Sequence, residues 1–225
     1  MKEKINVDNL TRTIMAETSD DSNNKKAWSF LKTLRDDDQS MINLVAIEPH
    51  SLNVTGITRP VGDEAVFNFI EMNNGKRNLY FMVNTPFKDA PDNKLKKENV
   101  EFINAVWIDA DPAKDKDFAE ERERLLAFAK SLRKDENPPT FIIDSGGGIQ
   151  AFWQLDQPVV VTDETRALYE AYSRGLAEKY DTDRVQNIDR IMRVPYTWNL
   201  PTQKKKEAGR TKTLSRLARV GTRYA

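Results

Sequence analysis

Runs of apolar residues along the chain predict a series of β-strands. These runs are rich in β-branched and aromatic residues, which favour the extended conformation. Strands are predicted at MINLVAIEP (41–49), LYFMVNT (79–85), FINAVWIDAD (102–111), PPTFIID (138–144), IQAFWQL (149–155) and RIMRVP (190–195). The glycine-rich segment between residues 144 and 149 predicts a hairpin turn between two of them.

Other segments show apolar residues at helical spacing. Helices are predicted at 27–34, 63–73, 117–135 and 162–180. Asp63 and Thr162 have the side chains that cap helix N-termini. In the third helix, the residues expected to share one apolar side are Phe118, Leu125, Leu126, Ala129 and Leu132. The mixed order of helices and strands predicts an α+β fold with a central sheet that carries helices.

The composition excludes several kinds of catalytic site. The 225 residues include no cysteine and one histidine, His50. A Cys/His zinc site, a cysteine nucleophile and a two-histidine metal centre are therefore excluded. Any metal would need carboxylate ligands, which favour Mg²⁺ or Mn²⁺. No apolar run is long enough to cross a bilayer, and the N-terminus lacks a signal-peptide core. We expect a soluble, cytoplasmic protein with no membrane partner.

Charge is distributed unevenly along the chain. The formal net charge is zero, but residues 203–225 contain eight Lys/Arg and one Glu. Such a segment can bind phosphates, although a solvated tail or helix face has the same composition.

Two carboxylates follow the strongest predicted strand. Asp109 and Asp111 are separated by Ala110, so on a strand their side chains point the same way, about 6.5–7 Å apart. Their repulsion is relieved by a cation between them, which makes this an Mg²⁺ platform. A solvated strand exit remains the alternative.

The segment SGGGIQ comes next in the chain. Glycines allow backbone amides to approach a phosphate closely, and Ser145 adds a hydroxyl donor. Gln150 presents a neutral amide from the following strand. The alternative is a flexible hairpin, with Phe152 and Trp153 as core residues.

A third segment, DTDRVQNIDRIMRVPYTWN (181–199), combines acids, arginines and aromatics. Arg190 and Arg193 could fork onto phosphate oxygens, and Tyr196 or Trp198 could stack on bases. Surface salt bridges among the same acids and arginines are the alternative.

Together these motifs resemble the archaeo-eukaryotic primase superfamily, and within it the RepB-like and primase-polymerase domains of plasmid and phage replication proteins. The shared order is a strand ending in D-x-D, a serine/glycine motif, and an acid before R-x-x-R-x-P-G-T-x-N. Here these are VWIDAD, SGGGIQAFW and DRVQNIDRIMRVPYTWN. LYFMVNT is similar to the strand ending in Asn that precedes D-x-D. The match covers roughly residues 79–204.

The resemblance implies a primase-like fold, with a central mixed or antiparallel sheet flanked by helices. It implies template-directed nucleotidyl transfer on single-stranded DNA during plasmid, phage or mobile-element replication, with NTP or dNTP as substrate and a replicative helicase as a further partner. The implied Mg²⁺ or Mn²⁺ ligands and catalytic residues are Asp109, Asp111 and Asp183. The implied nucleotide-binding residues are Ser145, Gly147, Gly148, Gln150, Arg190 and Arg193. Second choices are Asp189, Tyr196, Asn199 and Lys204.

The chain departs from the family pattern at two positions. Gln150 stands where the family has a histidine, and Tyr196 stands where it has a glycine. Two other functions therefore stay open, a catalytically degenerate DNA-binding replication module and a D-x-D glycosyltransferase. The predicted domains are a catalytic domain over 1–202, with a flanking subregion at 1–78 and the motifs at 79–202, and a basic segment at 203–225 that begins a further domain.

Overall fold

The computed structural model describes residues 21–219 and 221–224. The N-terminal residues that bear on the predicted absence of a signal peptide lie outside this range. Helix α1 covers residues 21–33. The later helices are α2 (Glu64–Asn73), α3 (Phe118–Leu132), α4 (Asp163–Tyr180) and α5 (Gln203–Glu207), with a 3₁₀ turn at Lys97–Asn99. Within the described residues, no helix is long and apolar enough to span a membrane.

The strands form two larger sheets and one small one. They are β1 (Met41–Ile47), β2 (Val54–Pro60), β3 (Asn78–Met82), β4 (Thr85–Pro86), β5 (Val100–Ala110), β6 (Phe141–Asp144), β7 (Ile149–Val160), β8 (Ile191–Arg193), β9 (Trp198–Asn199), β10 (Thr213–Leu214) and β11 (Arg216–Arg219). The first sheet has the order β2-β1-β3-β8, and the second has β11-β6-β7-β5-β4. The named strands pair in antiparallel fashion, and β9 pairs with β10. The predicted α+β class is confirmed.

The main hydrophobic core lies between the two larger sheets. Phe81 from the first sheet and Phe152 from the second are both fully buried, with ring centroids 6.1 Å apart. Phe141 stacks on Phe152 at 4.6 Å, and Phe30 of α1 meets both Phe81 and Phe141 edge-on. Burying rings of this size contributes strongly to stability. The core interpretation of Phe152 is therefore confirmed.

Helices α3 and α4 cover the outer face of the second sheet. Leu125 and Leu132 of α3 are buried there, in a cluster that also contains Trp153. Two residues predicted to face this core do not: Leu126 is 40% exposed, and Phe118 lies outside the cluster. Phe128, which was not predicted, packs against it.

Both predicted caps are confirmed: Thr162 forms a capping box with Thr165 at the start of α4, and the Asp63 carboxylate accepts the Ala65 N–H at the start of α2. The cap of α3 is Asp117, whose carboxylate accepts two backbone amides.

The predicted strand over 79–85 is in fact two strands in different sheets. β3 belongs to the first sheet and β4 to the second. Between them, the buried guanidinium of Arg35 donates to the carbonyls of Met82, Val83 and Asn84. These contacts replace the sheet hydrogen bonds that the chain loses as it crosses over. Apolar patterning cannot reveal this change of partner.

The basic C-terminal segment takes part in the fold. β11 pairs with β6 along its full length, and Ser215 is fully buried. The Ser215 hydroxyl donates to the Thr197 carbonyl at 2.8 Å and lies 3.0 Å from the Val194 carbonyl. The second sheet thus includes a strand from beyond residue 202, and the first sheet contains strands from both sides of residue 78.

Candidate active site

Asp109 lies near the end of β5, directly opposite Gln150 on β7. Cross-strand neighbours have adjacent side chains, so the register brings the two together. Gln150 Nε2 donates to Asp109 Oδ1 at 3.3 Å, and Gln150 Oε1 accepts the backbone N–H of Arg193 at 3.0 Å. Both ends of the amide are therefore bonded within the protein. The sequence instead predicted that the Gln150 amide contacts a phosphate of the substrate.

Asp109 is an unusually placed carboxylate because it is only 8% exposed. Burial, followed by the nearby charge of Asp111, raises its pKa from 3.8 to about 6. Arg190 opposes this shift, since its Nη2 donates to Asp109 Oδ2 at 3.1 Å. The site thus holds an acid whose charged form is costly without a nearby cation.

Asp183 reaches the same point from the other side of β5. Its backbone N–H donates to the Asp109 carbonyl at 3.0 Å in an isolated antiparallel bridge. Its carboxylate accepts the backbone N–H of Asp111 at 3.2 Å. The structure therefore brings Asp109, Asp111 and Asp183 together. Asp189 lies outside the set of described residues that line this cleft.

The glycine segment forms a tight turn that packs against the end of β5. The Ser145 hydroxyl accepts the Gly148 N–H at 2.9 Å and lies 3.0 Å from the Gly148 carbonyl, to which it donates. Gly146 has φ +81°, a conformation that favours glycine. A Cβ at Gly148 would lie 2.6 Å from the Ala110 carbonyl oxygen and 2.7 Å from Asp111 Oδ1. The turn thus needs glycine both for its backbone conformation and for its closeness to the carboxylates.

The two arginines of the third motif have different roles. Arg190 reaches Asp109, whereas the guanidinium of Arg193 is buried and donates to Asn78, Tyr80 and Asn199. The predicted phosphate fork of two arginines is therefore not what the structure shows. Residues three apart along an extended chain point to opposite sides, which separates the two side chains.

Asn199 links the third motif to the glycine turn. It accepts from Arg193 at 3.1 Å and donates from Nδ2 to the Ser145 carbonyl at 2.7 Å. Arg122 of α3 holds the other end of the turn through an ion pair with Asp144 at 2.9 Å. The turn that faces the carboxylates is therefore fixed from both sides.

The carboxylates open into a cleft of about 1280 Å³. Lys204, which the resemblance singled out, lines it together with two cations that sequence reasoning missed, Lys205 and Arg210. No ion pair involves any of the three within the parts of the chain that the structure describes. Burial, and then the charge of Arg210, lower the pKa of Lys205. The sequence signal for Lys205 and Arg210 was the basic composition of residues 203–225, which did not single out either residue.

Arg210 also lies against the glycine turn. Its Nη1 is 3.1 Å from the position of a Cβ at Gly147, and its guanidinium sits over the Phe118 ring at 5.3 Å. The cleft thus has carboxylates on β5, a glycine turn beside them, and unpaired cations from the C-terminal segment. An anionic ligand would complement these cations.

A further acid that the sequence did not point to, Glu121 of α3, lines the cleft wall. Its carboxylate pairs with Arg124 at 2.7 Å and accepts the Ala113 N–H at 2.9 Å. The Arg124 hydrogen bonds, followed by the Ala113 amide, lower its pKa to about 2. Glu121 therefore anchors the loop that follows Asp111.

Two aromatic residues that were candidates for base stacking lie elsewhere. Tyr196 lines a separate groove with α1 residues and Leu217, and it adopts φ +64°. The positive φ explains why glycine suits this position. Trp198 lies beneath the ammonium of Lys212, 4.6 Å from its ring centroid. Neither residue is among those lining the cleft.

The carboxylate oxygens at the end of β5 suit a hard divalent cation, although they do not form a complete metal site. Among residues 21–219 and 221–224, no cluster of three acidic or histidine side chains is arranged to hold a metal ion. Asp109 and Asp111 nevertheless form a like-charged pair in which burial and mutual repulsion raise the pKa of Asp109. Mg²⁺ or Mn²⁺ favours such oxygen ligands and would offset both effects.

Comparison with known proteins places this arrangement on a known fold. No protein-family model and no curated protein matches the chain. Three solved structures resemble it. The first is the AEP (archaeo-eukaryotic primase) domain of the cyanophage S-2L primase-polymerase. It has a TM-score of 0.57 and 16% identity, and the match covers 89% of this chain and 92% of that chain. The second is primase RepB′, with TM-score 0.58 and 12% identity over 90% of this chain and 58% of that chain.

The third is the catalytic domain of primase RepB′ in complex with initiator DNA, with TM-score 0.56 and 12% identity, covering 90% of this chain and 88% of that one. At these identities the likeness shows the fold. The chain therefore has the fold of archaeo-eukaryotic primase catalytic domains, as the motif order predicted.

Proposed function

We propose that this chain is a primase or primase-polymerase, a nucleotidyltransferase that joins nucleotides on a single-stranded DNA template. One observation carries the proposal: on a primase fold, the paired carboxylates Asp109 and Asp111 open into the same cleft as the unpaired cations Lys204, Lys205 and Arg210. Nucleotidyl transfer needs this combination, because a triphosphate substrate is anionic while its reaction requires a divalent cation.

Each part of the cleft has a role in this reaction. Asp109 and Asp111 would hold the Mg²⁺ or Mn²⁺, with Asp183 beside them. A bound divalent cation would favour ionisation of the attacking hydroxyl and stabilise charge on the leaving pyrophosphate. Lys204, Lys205 and Arg210 would bind the triphosphate against the turn formed by Ser145, Gly147 and Gly148. The cleft thereby fixes the position of the substrate before reaction.

Gln150 and Arg190 would act on Asp109 rather than on the nucleotide. Gln150 fixes the orientation of the carboxylate, while Arg190 stabilises its charged form. Arg193 and Asn199 would act indirectly, because they hold the glycine turn in place. We assign these four residues positioning roles.

Primer synthesis on single-stranded DNA tests the proposal. Purified protein is incubated with template, Mg²⁺ or Mn²⁺, and labelled ribo- or deoxynucleotides in separate reactions. Short products are expected from the wild type and none from Asp109→Ala/Asp111→Ala. The matched control is Asp156→Ala, an exposed carboxylate on β7 that lies outside the cleft, and it should retain full activity. Products that persist in the double variant would refute the assignment of Asp109 and Asp111.

One observation favours a second candidate, a DNA-binding replication module without synthesis. Gln150 replaces the motif histidine and is neutral, and both of its amide ends are engaged within the protein. Retained single-stranded DNA binding, with no products under either metal, would identify this function. The cytoplasmic location and the replicative helicase remain predictions from the sequence and the resemblance.

A further inference from the structure

Three depressions on the surface are connected through shared cations. The active-site cleft and a second groove of about 540 Å³ are both lined by Arg210. The second groove and a third depression of about 370 Å³ are both lined by Lys76. The three depressions are therefore neighbours on the surface, in a series from the carboxylates past Arg210 to Lys76 and the adjacent Arg77. We call this the basic track.

The lysines of the second groove are available to an anionic ligand. Lys76, Lys206 and Lys212 are exposed, and none of them forms an ion pair in the described part of the chain. The groove has one acid, Glu48, whose carboxylate accepts the backbone amides of His50 and Ser51. Exposed lysines on an ordinary solvated face lie among acids of similar number, so the excess of positive charge here favours a polyanion.

The Trp198 ring lies behind the lining of the groove, in contact with two residues that form it. A Cβ at Gly75 would lie 3.6 Å from Cδ1 of Trp198, so the glycine backbone lies against the indole. Lys212 Nζ lies over the same ring. Leu200 and Pro201 complete the apolar part of the lining. Cations along an open groove suit a nucleic acid strand whose backbone is held through its phosphates.

We propose that the basic track binds the phosphate backbone of single-stranded DNA and leads it past Arg210 to the carboxylates. The inference rests on the proposed function, because that function supplies the single-stranded partner. It adds the surface on which this partner lies. Lys76, Lys206 and Lys212 contact phosphates without reading bases, so binding is insensitive to sequence and strongly dependent on salt.

Salt-dependent binding of a fluorescein-labelled single-stranded DNA of mixed sequence tests the track. The variant is Lys76→Ala/Lys206→Ala/Lys212→Ala. The control is Lys88→Ala/Lys94→Ala/Lys130→Ala, which removes equal charge from exposed lysines that line none of the three depressions. Each phosphate contact to a single strand contributes about 0.7 to the slope of log K against log salt. We expect the slope to fall by about 2 in the track variant, with about 100-fold weaker binding near 0.1 M salt.

The same proteins are titrated with a labelled nucleoside triphosphate and assayed for primer synthesis. Triphosphate affinity should be unchanged in the track variant, because the altered lysines lie outside the active-site cleft. Single Lys76→Ala and Lys212→Ala variants should each lower the slope by about 0.7, which separates contact loss from misfolding.

Three results would overturn the inference: no DNA binding by the wild type, a slope change no larger than in the control, or equal competition by duplex DNA. The first leaves the track without its ligand, the second places the contacts elsewhere, and the third indicates a duplex surface. Failure of the proposed function looks different. In that case the wild type makes no primers, while the track variant still loses its affinity for single-stranded DNA.

Discussion

The raised pKa of Asp109 predicts an unusual pH dependence of stability, which Asp109→Asn can reveal. The folded metal-free protein holds this proton with a pKa of about 6, against an ordinary value of 3.8. The folded state therefore binds more protons than the unfolded chain between these values. As the pH rises through this interval, the free energy of unfolding falls. One pKa unit corresponds to about 1.4 kcal/mol, so the total loss is about 3 kcal/mol.

Asparagine cannot ionise, so the variant escapes this loss. The free energy of unfolding of the variant minus that of the wild type should rise by about 3 kcal/mol between about pH 3.8 and pH 6, and then stay level to about pH 8. Urea unfolding in buffers containing a chelator measures both proteins across this range. Because only the change with pH is compared, constant differences in packing cancel.

The control is Asp156→Asn, which removes a carboxylate from an exposed position on β7. A stability difference between Asp109→Asn and the wild type that stays constant with pH would refute the reasoning. It would mean that Asp109 ionises as easily in the fold as in the unfolded chain. Adding Mn²⁺ should stabilise the wild type above about pH 6, and stabilise Asp109→Asn less, because the cation offsets the cost of the buried charge.

Four further predictions concern single residues. Gly148→Ala should lower primer synthesis about 100-fold, because the added Cβ displaces the adjacent Asp111 carboxylate. Its control is Gly175→Ala, which has open space around the added Cβ. This control should leave primer synthesis intact and raise the free energy of unfolding in urea by about 0.5–1 kcal/mol. Arg35→Met should cost at least about 3 kcal/mol by the same measurement, because buried carbonyls lose their donor. Tyr196→Ala should leave triphosphate affinity unchanged in a binding titration while lowering stability by about 1–2 kcal/mol. Gln150→Leu should move the acid limb of the pH–rate profile to higher pH, because the pKa of Asp109 loses a lowering contact.

Local patterning predicted most elements because their signals lie within a few residues. α4 begins after its Thr162 cap, as expected, and β5 extends through Asp109. The division of residues 79–85 between two sheets was not predictable. It depends on a buried arginine almost 50 positions away, Arg35, whose guanidinium bonds the crossing backbone. Contacts of this kind leave no periodic trace in the sequence.

The candidate active site, too, could be predicted from the sequence only in part. The spacing of Asp109 and Asp111 predicted that these two lie side by side, and the resemblance to the primase motifs added Asp183 to them. The roles of Gln150 and Arg193 were not predictable, because they depend on strand register. Only the pairing of β5 with β7 places Gln150 opposite Asp109. The same amide accepts the backbone of Arg193, whose side chain faces the interior.

The replacement of the motif histidine by Gln150 changes the charge balance of the site in a definite way. A histidine there could carry a positive charge beside Asp109, and its ionisation would fall in the same pH range as that of the carboxylate. Glutamine has no such ionisation, so charge stabilisation of Asp109 depends on its hydrogen bond and ion pair with Arg190. In the proposed reaction, phosphate contacts would then depend on Lys204, Lys205 and Arg210, which lie on the C-terminal segment. The proposal of nucleotidyl transfer without a histidine at this position therefore requires that this segment stay folded against the second sheet through β11.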